Sequence, residues 1–343
     1  MITERIFDEI RGVSIPEVTL HNAAGMEVSI LSYGATIRSV FVPTASGKGV
    51  EVCLGYDTIA EYMQNSGHFG GSIGRFANRI AGAAFDLNGV HYTLAANTPP
   101  NHLHGGTHGW DTKIWDYTTD KEENSVTFTC RSADMEEGYP GEVHASAKFT
   151  LTEDNRMVIE YSAVTDKDTP VNMTNHWYFN LNGHASGSVL DHELQLLADS
   201  FTETDAGLIP TGKILPVEGT ALDFRTPKTI RRDFEVVRAQ PTKGYDNNFV
   251  LGEPGVFKKF AVLRGDKTGI TMTAYTNMEA VQCYTGNSIS DRKGKEKAQY
   301  TVNSGMCLEP HHFPNAVNQP EFPSAILHPG ETYYHHTEFK FEG

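Results

Sequence analysis

The chain is short of cationic side chains, of cysteine and of long apolar runs, and each shortage excludes a class of function. Its 28 Lys and Arg stand against 43 Asp and Glu, a formal net charge of -15 at pH 7. Nucleic acid and anionic membrane surfaces are gripped through basic patches, so neither is an expected partner. No apolar run approaches the roughly 18 residues of a membrane span. The start, Met1-Ile2-Thr3-Glu4-Arg5-Ile6, is charged where a secretory signal would be apolar. Cys53, Cys130, Cys283 and Cys307 are far apart and make no C-x-x-C pair. They are expected to be reduced core thiols of a cytoplasmic protein, and the acceptor sequon Asn172-Met173-Thr174 is then without consequence. Also missing are the G-x-S-x-G elbow and the H-E-x-x-H helix, which removes support for a serine hydrolase or a zincin. Length alone suggests about two domains, but all-β folds often exceed 200 residues as one unit. No linker, repeat or low-complexity tract marks a boundary, so residues 1–343 are read as one domain.

What the chain does have is strand after strand. Phe85, Leu87, Val90, Tyr92 and Leu94 alternate around Asn88-Gly89, a two-residue hairpin signal because Asn-Gly supplies the positive φ angles of the turn. Ala145 to Leu151 and Met157 to Ala163 alternate on either side of Glu153-Asp154-Asn155. Phe257 to Leu263 and Ile270 to Tyr275 flank Gly265-Asp266-Lys267, and 126–130, 280–284 and 333–341 add further strands. Helical signals are few, with one short N-capped turn expected in 57–63. Many short strands between turn signals predict an all-β, antiparallel sandwich or barrel. Long loops at about 97–115, 201–248 and 287–300 are where function is expected.

Several segments could carry chemistry. Cys307-Leu308-Glu309-Pro310-His311-His312 places a carboxylate where a buried strand meets a proline-broken loop. There Glu309 is either a solvated loop residue or a half-buried carboxylate of tuned basicity. In Thr174-Asn175-His176-Trp177-Tyr178 strand alternation puts Thr174, His176 and Tyr178 on one face, if no bulge intervenes. His176 is then an acid or base near neutral pH, or a hydrogen-bonded core histidine. Asn101-His102-Leu103-His104-Gly105-Gly106 has the H-x-H spacing of a chelate, with His108 a third candidate ligand. It lies in a Pro- and Gly-bounded loop, and no carboxylate follows until Asp111, so a ligand-binding loop histidine is the better reading than a metal site. Gly74-Arg75-Phe76-Ala77-Asn78-Arg79 lacks the G-x-x-x-x-G-K-[ST] of a phosphate loop. Its arginines offer planar multi-donor contacts to hydroxyls or carboxylates, with a surface salt bridge expected for at least one of them. Asp246 sits in a turn before a strand, and Gln282 on a strand.

Taken together and in order, these segments resemble the aldose 1-epimerase (galactose mutarotase) family over about residues 30 to 340. The motifs are Gly74-Arg75 with Ala77-Asn78-Arg79-Ile80, then Leu103-His104-Gly105-Gly106, then Asn175-His176 with Tyr178-Phe179-Asn180-Leu181. They continue with Asp246 and Asn248-Phe249, then Gln282 with Tyr284-Thr285-Gly286-Asn287, then Leu308-Glu309 and Asn318-Gln319-Pro320. The resemblance implies a large antiparallel β-supersandwich with few short helices and an open sugar cleft. It implies Glu309 as general base and His176 as general acid, with Asn78, Arg79, His104, Asp246 and Gln282 as sugar contacts. It implies a monosaccharide substrate, D-galactose first and D-glucose next, without cofactor or metal, in a monomer or homodimer. Trp177, Asn247 and the pair His311-His312 depart from the family pattern, and are expected to touch the rim of the site. A mutarotase for xylose or L-arabinose, a non-catalytic sugar-binding module on the same fold, and a metal enzyme built on His102 and His104 are the alternatives. Retention of both Glu309 and His176 argues against a mere binder, which needs neither acid nor base.

Overall fold

A computed structural model describes residues 1–45, 47–64 and 67–343. Three antiparallel sheets dominate it. The first is a five-stranded meander of Ile2–Ile10, Val13–His21, Glu27–Leu31, Thr36–Pro43 and Gly49–Glu51. The second has nine strands. In spatial order they are Asp116–Asp120, Ser125–Ser132, Val143–Leu151, Arg156–Thr165, Tyr333–Glu342, Thr271–Thr276, Lys258–Arg264, Glu193–Leu196 and Lys228–Thr229. The third runs Pro210–Pro216, Ser200–Thr204, Asp246–Val250, Ala280–Tyr284 and Cys307–His311.

Alternation explains the second sheet. Along Val143–Leu151 every odd-numbered side chain is buried, and Phe149 faces Ile159 and Val126 across the ladder. The inward row Val126, Phe128, Ala147, Phe149 and Ile159 joins Val18, Val28, Ile30 and Val40 of the first sheet in one core cluster. Each such side chain contributes about 1.5–3 kcal/mol on burial. The predicted hairpins are present at Ala84–Leu87/Val90–Thr93, Val143–Leu151/Arg156–Thr165 and Lys258–Arg264/Thr271–Thr276. Helix is confined to short pieces. Ile59–Met63 is held by a capping box between Thr58 and Glu61, and Phe234–Arg238 has no counterpart in the expectations above.

The structure corrects four expectations. The 201–248 stretch is not a long loop: it holds two strands of the third sheet, one of the second and a helix. Pro310 does not end regular structure, because Cys307–His311 continues through it and pairs Pro310 with Val281. That strand lies at the edge of its sheet, where a missing N–H is tolerated. Thr174 does not share a face with His176 and Tyr178, since its strand is only Thr174–Asn175 and the chain leaves regular pairing before His176. Trp177 is no rim residue: it is buried with its ring centroid 4.3 Å from Phe179 and 5.6 Å from Phe339.

Candidate active site

The third sheet builds the floor of the site through its period of two. Phe249, Val281, Cys283 and Leu308 point into the main core. The opposite face carries the row Asn248, Gln282 and Glu309, paired in register across three strands, with Asp246 two residues from Asn248. Gln282 Nε2 donates to Asp246 Oδ1 at 2.6 Å, so the amide orients the carboxylate. Glu309 is therefore mid-strand and buried, not at a strand-to-loop junction.

A second wall comes from the short ladder Arg79–Ile80 with His102–Leu103. His104 N donates to Asn78 O at 3.0 Å, and Asn78 N donates to His104 Nδ1 at 3.2 Å. Because Nδ1 accepts, the neutral ring carries its hydrogen on Nε2, which makes His104 a donor to a ligand. Asn78 Oδ1 accepts from Arg79 N at 2.8 Å, fixing the start of the arginine. The other members of these pairs are structural. Arg75 is buried, its guanidinium donating to Pro140 O, Gly141 O, Ala133 O and Ser132 Oγ at 2.6–3.0 Å. Among the described residues the expected surface salt bridge is found at neither arginine: carbonyls claim Arg75, and Arg79 lines the cleft. His102 has both ring nitrogens occupied, Nδ1 by Ala95 O and Nε2 by Tyr139 Oη, each at 2.7 Å. It cannot join His104 in a chelate.

His176 enters from a third direction and is clamped by its own backbone. His176 N donates to Gly71 O and accepts Gly70 N on its carbonyl, both at 2.9 Å. Gly70 has φ +72°, and a Cβ there would lie 2.0 Å from Ile37 O, so only glycine fits this close crossing. The imidazole then spans two groups of the edge strand. Nδ1 is 3.4 Å from Cys307 Sγ, and Nε2 is 3.7 Å from Glu309 Oε1. The Cys307 thiol is held protonated by burial and by the Glu309 charge, and it shares a hydrogen bond with Nδ1 whose direction follows the protonation of the ring. His176, Cys307 and Glu309 lie close enough to suggest a metal ligand set. The thiol and the carboxylate, however, face different nitrogens of one ring, which is a relay and not a chelate.

Asn78, Arg79, His104, His176, Asp246, Gln282 and Glu309 all line one cleft of about 390 Å³, within the usual range for a small-molecule site. Every residue singled out as a site residue from sequence is there. Two that were not are His68 and Tyr178. His68 lies in Gly67-His68-Phe69-Gly70-Gly71, and a histidine inside a glycine-rich stretch was the available signal. Asn247 and the His311-His312 pair are not on the cleft's lining; His311 is fully buried beyond Glu309.

Electrostatics separates the pair in the useful sense. Burial, helped by Asp246 and opposed by Arg79, raises the Glu309 carboxyl well above its usual 4.5. Asp246 is raised too, by burial, against Arg79 and Gln282. His176 is pushed down to about 3, first by burial and then by the charge of His68. The carboxyl is thus a stronger base than usual and the imidazolium a stronger acid, which is what a proton-transfer site requires.

The comparisons with known proteins agree. The family profile described as aldose 1-epimerase matches residues 16–340. A galactose mutarotase of Mus musculus is 41% identical over 346 residues, covering 99% of this chain and 98% of that protein. An aldose 1-epimerase of Escherichia coli is 38% identical over 329 residues, 94% of each. Among solved structures, an aldose epimerase homologue from C. elegans superposes with a TM-score of 0.88 at 30% identity, covering 95% of this chain and 98% of that one. A galactose 1-epimerase from Lactobacillus acidophilus gives 0.85 at 28%, covering 100% and 98%. With its β-supersandwich, its cleft and these relatives along nearly its whole length, the chain belongs to the aldose 1-epimerase family.

Proposed function

We propose that the protein interconverts the α and β anomers of D-galactose, and of related aldohexoses such as D-glucose, with Glu309 as general base and His176 as general acid. The observation that carries this reading is a buried carboxylate and imidazole 3.7 Å apart at the floor of a polar cleft. Glu309 takes the proton of the C1 hydroxyl. The C1–O5 bond breaks as the C1 carbonyl forms, and O5 takes a proton from His176 Nε2. Rotation about C1–C2 presents the other face of the aldehyde. O5 then attacks C1, returns its proton to His176, and the new C1 hydroxyl is completed by the proton on Glu309. Atoms and charges balance with one proton held by the pair, and no cofactor enters.

The pair begins the forward step as carboxylate and imidazolium and ends it as carboxyl and neutral imidazole. Burial favours the uncharged form, so the resting site matches the ring-opened complex. The Arg79 charge lowers the hold of Glu309 on its proton and so helps prepare the base. Arg79 and His104 offer donors to sugar hydroxyls, Asp246 offers an acceptor, and Asn78 and Gln282 offer amide groups.

The same reading has residues 1–343 acting as one domain, supported by a core cluster that draws from Val18 to Phe341. Among the described residues no helix is long and apolar enough to cross a membrane. The reading takes the protein as a cytoplasmic monomer or homodimer acting on a monosaccharide, and the net charge of -15 disfavours nucleic acid as a partner. Polarimetry on freshly dissolved α-D-galactose is the test. The protein is expected to speed the decay of optical rotation well above the buffer rate; decay at the buffer rate for galactose and for other aldoses overturns the reading.

A further inference from the structure

We propose that His68, anchored by Asp111, is a further sugar-contacting residue, which takes the exocyclic 6-hydroxyl of the aldohexose. This rests on the mutarotase reading above and deepens it. His68 Nδ1 lies 2.7 Å from Asp111 Oδ2, so the carboxylate claims the Nδ1 hydrogen. Asp111 is itself fixed in the turn Trp110–Thr112, packed so tightly on Gly71 that a Cβ there would lie 2.8 Å from Asp111 Cβ. The ring is thereby held against the two imidazoles of the cleft, with centroids 4.8 Å from His104 and 5.8 Å from His176. Its side chain remains 21% exposed and lines the cleft. Among the described residues, Nδ1 of His68 is hydrogen-bonded and no hydrogen bond is made by Nε2. With Nδ1 turned to the carboxylate, Nε2 is the ring nitrogen left to hydrogen-bond a ligand. A polar nitrogen on a ring pinned by a carboxylate and left open to a sugar cleft is built to receive a hydroxyl.

The hydroxyl follows from the order of groups around the cleft. Glu309 serves the C1 hydroxyl and His176 serves the ring oxygen. The other ring neighbour of that oxygen is C5, which carries the 6-hydroxymethyl group. His68 stands beside His176, so its nearest hydroxyl is the one on C6.

The test compares D-galactose with 6-deoxy-D-galactose, using the wild-type protein, His68→Phe and Asp111→Asn. Wild-type protein is expected to show a KM for galactose about 5- to 10-fold below that for the 6-deoxy sugar, the worth of one buried hydrogen bond. In His68→Phe, which keeps a ring against His104 and His176, this preference collapses because KM for galactose rises by more than kcat falls. Asp111→Asn is expected to lose part of the preference, because the ring is no longer pinned. Equal KM increases for both sugars mean that His68 only packs the cleft, and overturn the proposal; so does an unchanged preference in His68→Phe. If wild-type protein accelerates neither sugar, the mutarotase reading itself has failed, which is a distinct result.

Discussion

Two glutamate–histidine pairs with buried carboxyls stand on or beside two adjacent strands of this protein, and they behave in opposite ways. Glu279 precedes the strand Ala280–Tyr284 and meets His312, just past Cys307–His311, with Oε1 to Nδ1 at 2.7 Å. Glu309 meets His176 at 3.7 Å. Burial raises the proton affinity of both carboxyls. At Glu279 the charge and hydrogen bond of His312, with a backbone N–H, more than offset it, and the carboxyl falls below its usual value. At Glu309 burial is reinforced by Asp246 and only partly opposed by Arg79, so the carboxyl rises well above it. The closed pair is a fastener. The open pair leaves both groups facing the cleft, where a C1 hydroxyl and a ring oxygen are expected beside them.

The sharpest way to break this contrast is to mutate both carboxyls. Glu309→Gln and His176→Asn are each expected to cut kcat by about 10²-fold or more, with sugar binding largely kept, as read by polarimetry and by titration with galactose. Wild-type turnover in Glu309→Gln would remove it from the chemistry. Next in size, Arg79→Ala or Asp246→Ala is expected to weaken sugar binding by about 1–3 kcal/mol per lost buried contact, seen as a rise in KM exceeding any fall in kcat.

Stability is expected to separate the pairs in the other direction. Because the folded carboxyl of Glu279 binds its proton less tightly than the unfolded one, it stabilises the fold above the usual 4.5, and that contribution is lost as pH falls through its depressed value. Glu279→Gln is therefore expected to cost about 1–3 kcal/mol at pH 7 and to leave kcat near wild type. Glu309 carries the opposite sign. Its raised folded value opposes folding once pH exceeds the unfolded value, so Glu309→Gln is expected to melt at or above the wild-type temperature at pH 7 while inactive. A lower melting temperature for Glu309→Gln than for Glu279→Gln would erase the distinction. The smallest effect concerns the alkaline limb of kcat/KM, where the pair loses its one proton. Removing the Asp246 charge lets Glu309 release that proton sooner, so Asp246→Asn is expected to move the limb to lower pH; a move to higher pH contradicts the assignment.

The sequence made strands of the second sheet legible where alternation is strict, as in Val143–Leu151, but left Ser200–Thr204 and Pro210–Pro216 of the third sheet inside a stretch read as a loop. The first sheet was not read, although Val13–His21 and Thr36–Pro43 are strands. Their burial does not alternate cleanly: Glu17 is buried beside Val18, and Ile37 directly follows Thr36, both buried. The seven residues named from sequence line the cleft, each in a compact motif, yet none of the motifs revealed which member faces it. Arg75 and Arg79 are equivalent donors by composition, and only the fold gives one to carbonyls and the other to the cleft. Trp177, Asn247 and His311 were assigned to the rim on position alone, and the backbone's changes of direction after Asn175 and the pleat of the third sheet put them elsewhere. His68 escaped notice because its partner, Asp111, is 43 residues away and comes close only through the turn at Trp110–Thr112.

Pro310 has a consequence outside catalysis. The strand bearing Glu309 ends its sheet yet is buried along its whole length, where an amide hydrogen without a partner is costly. One residue beyond the carboxylate, proline brings no amide hydrogen at all. The border of the sheet therefore has one donor fewer to satisfy beside the cleft.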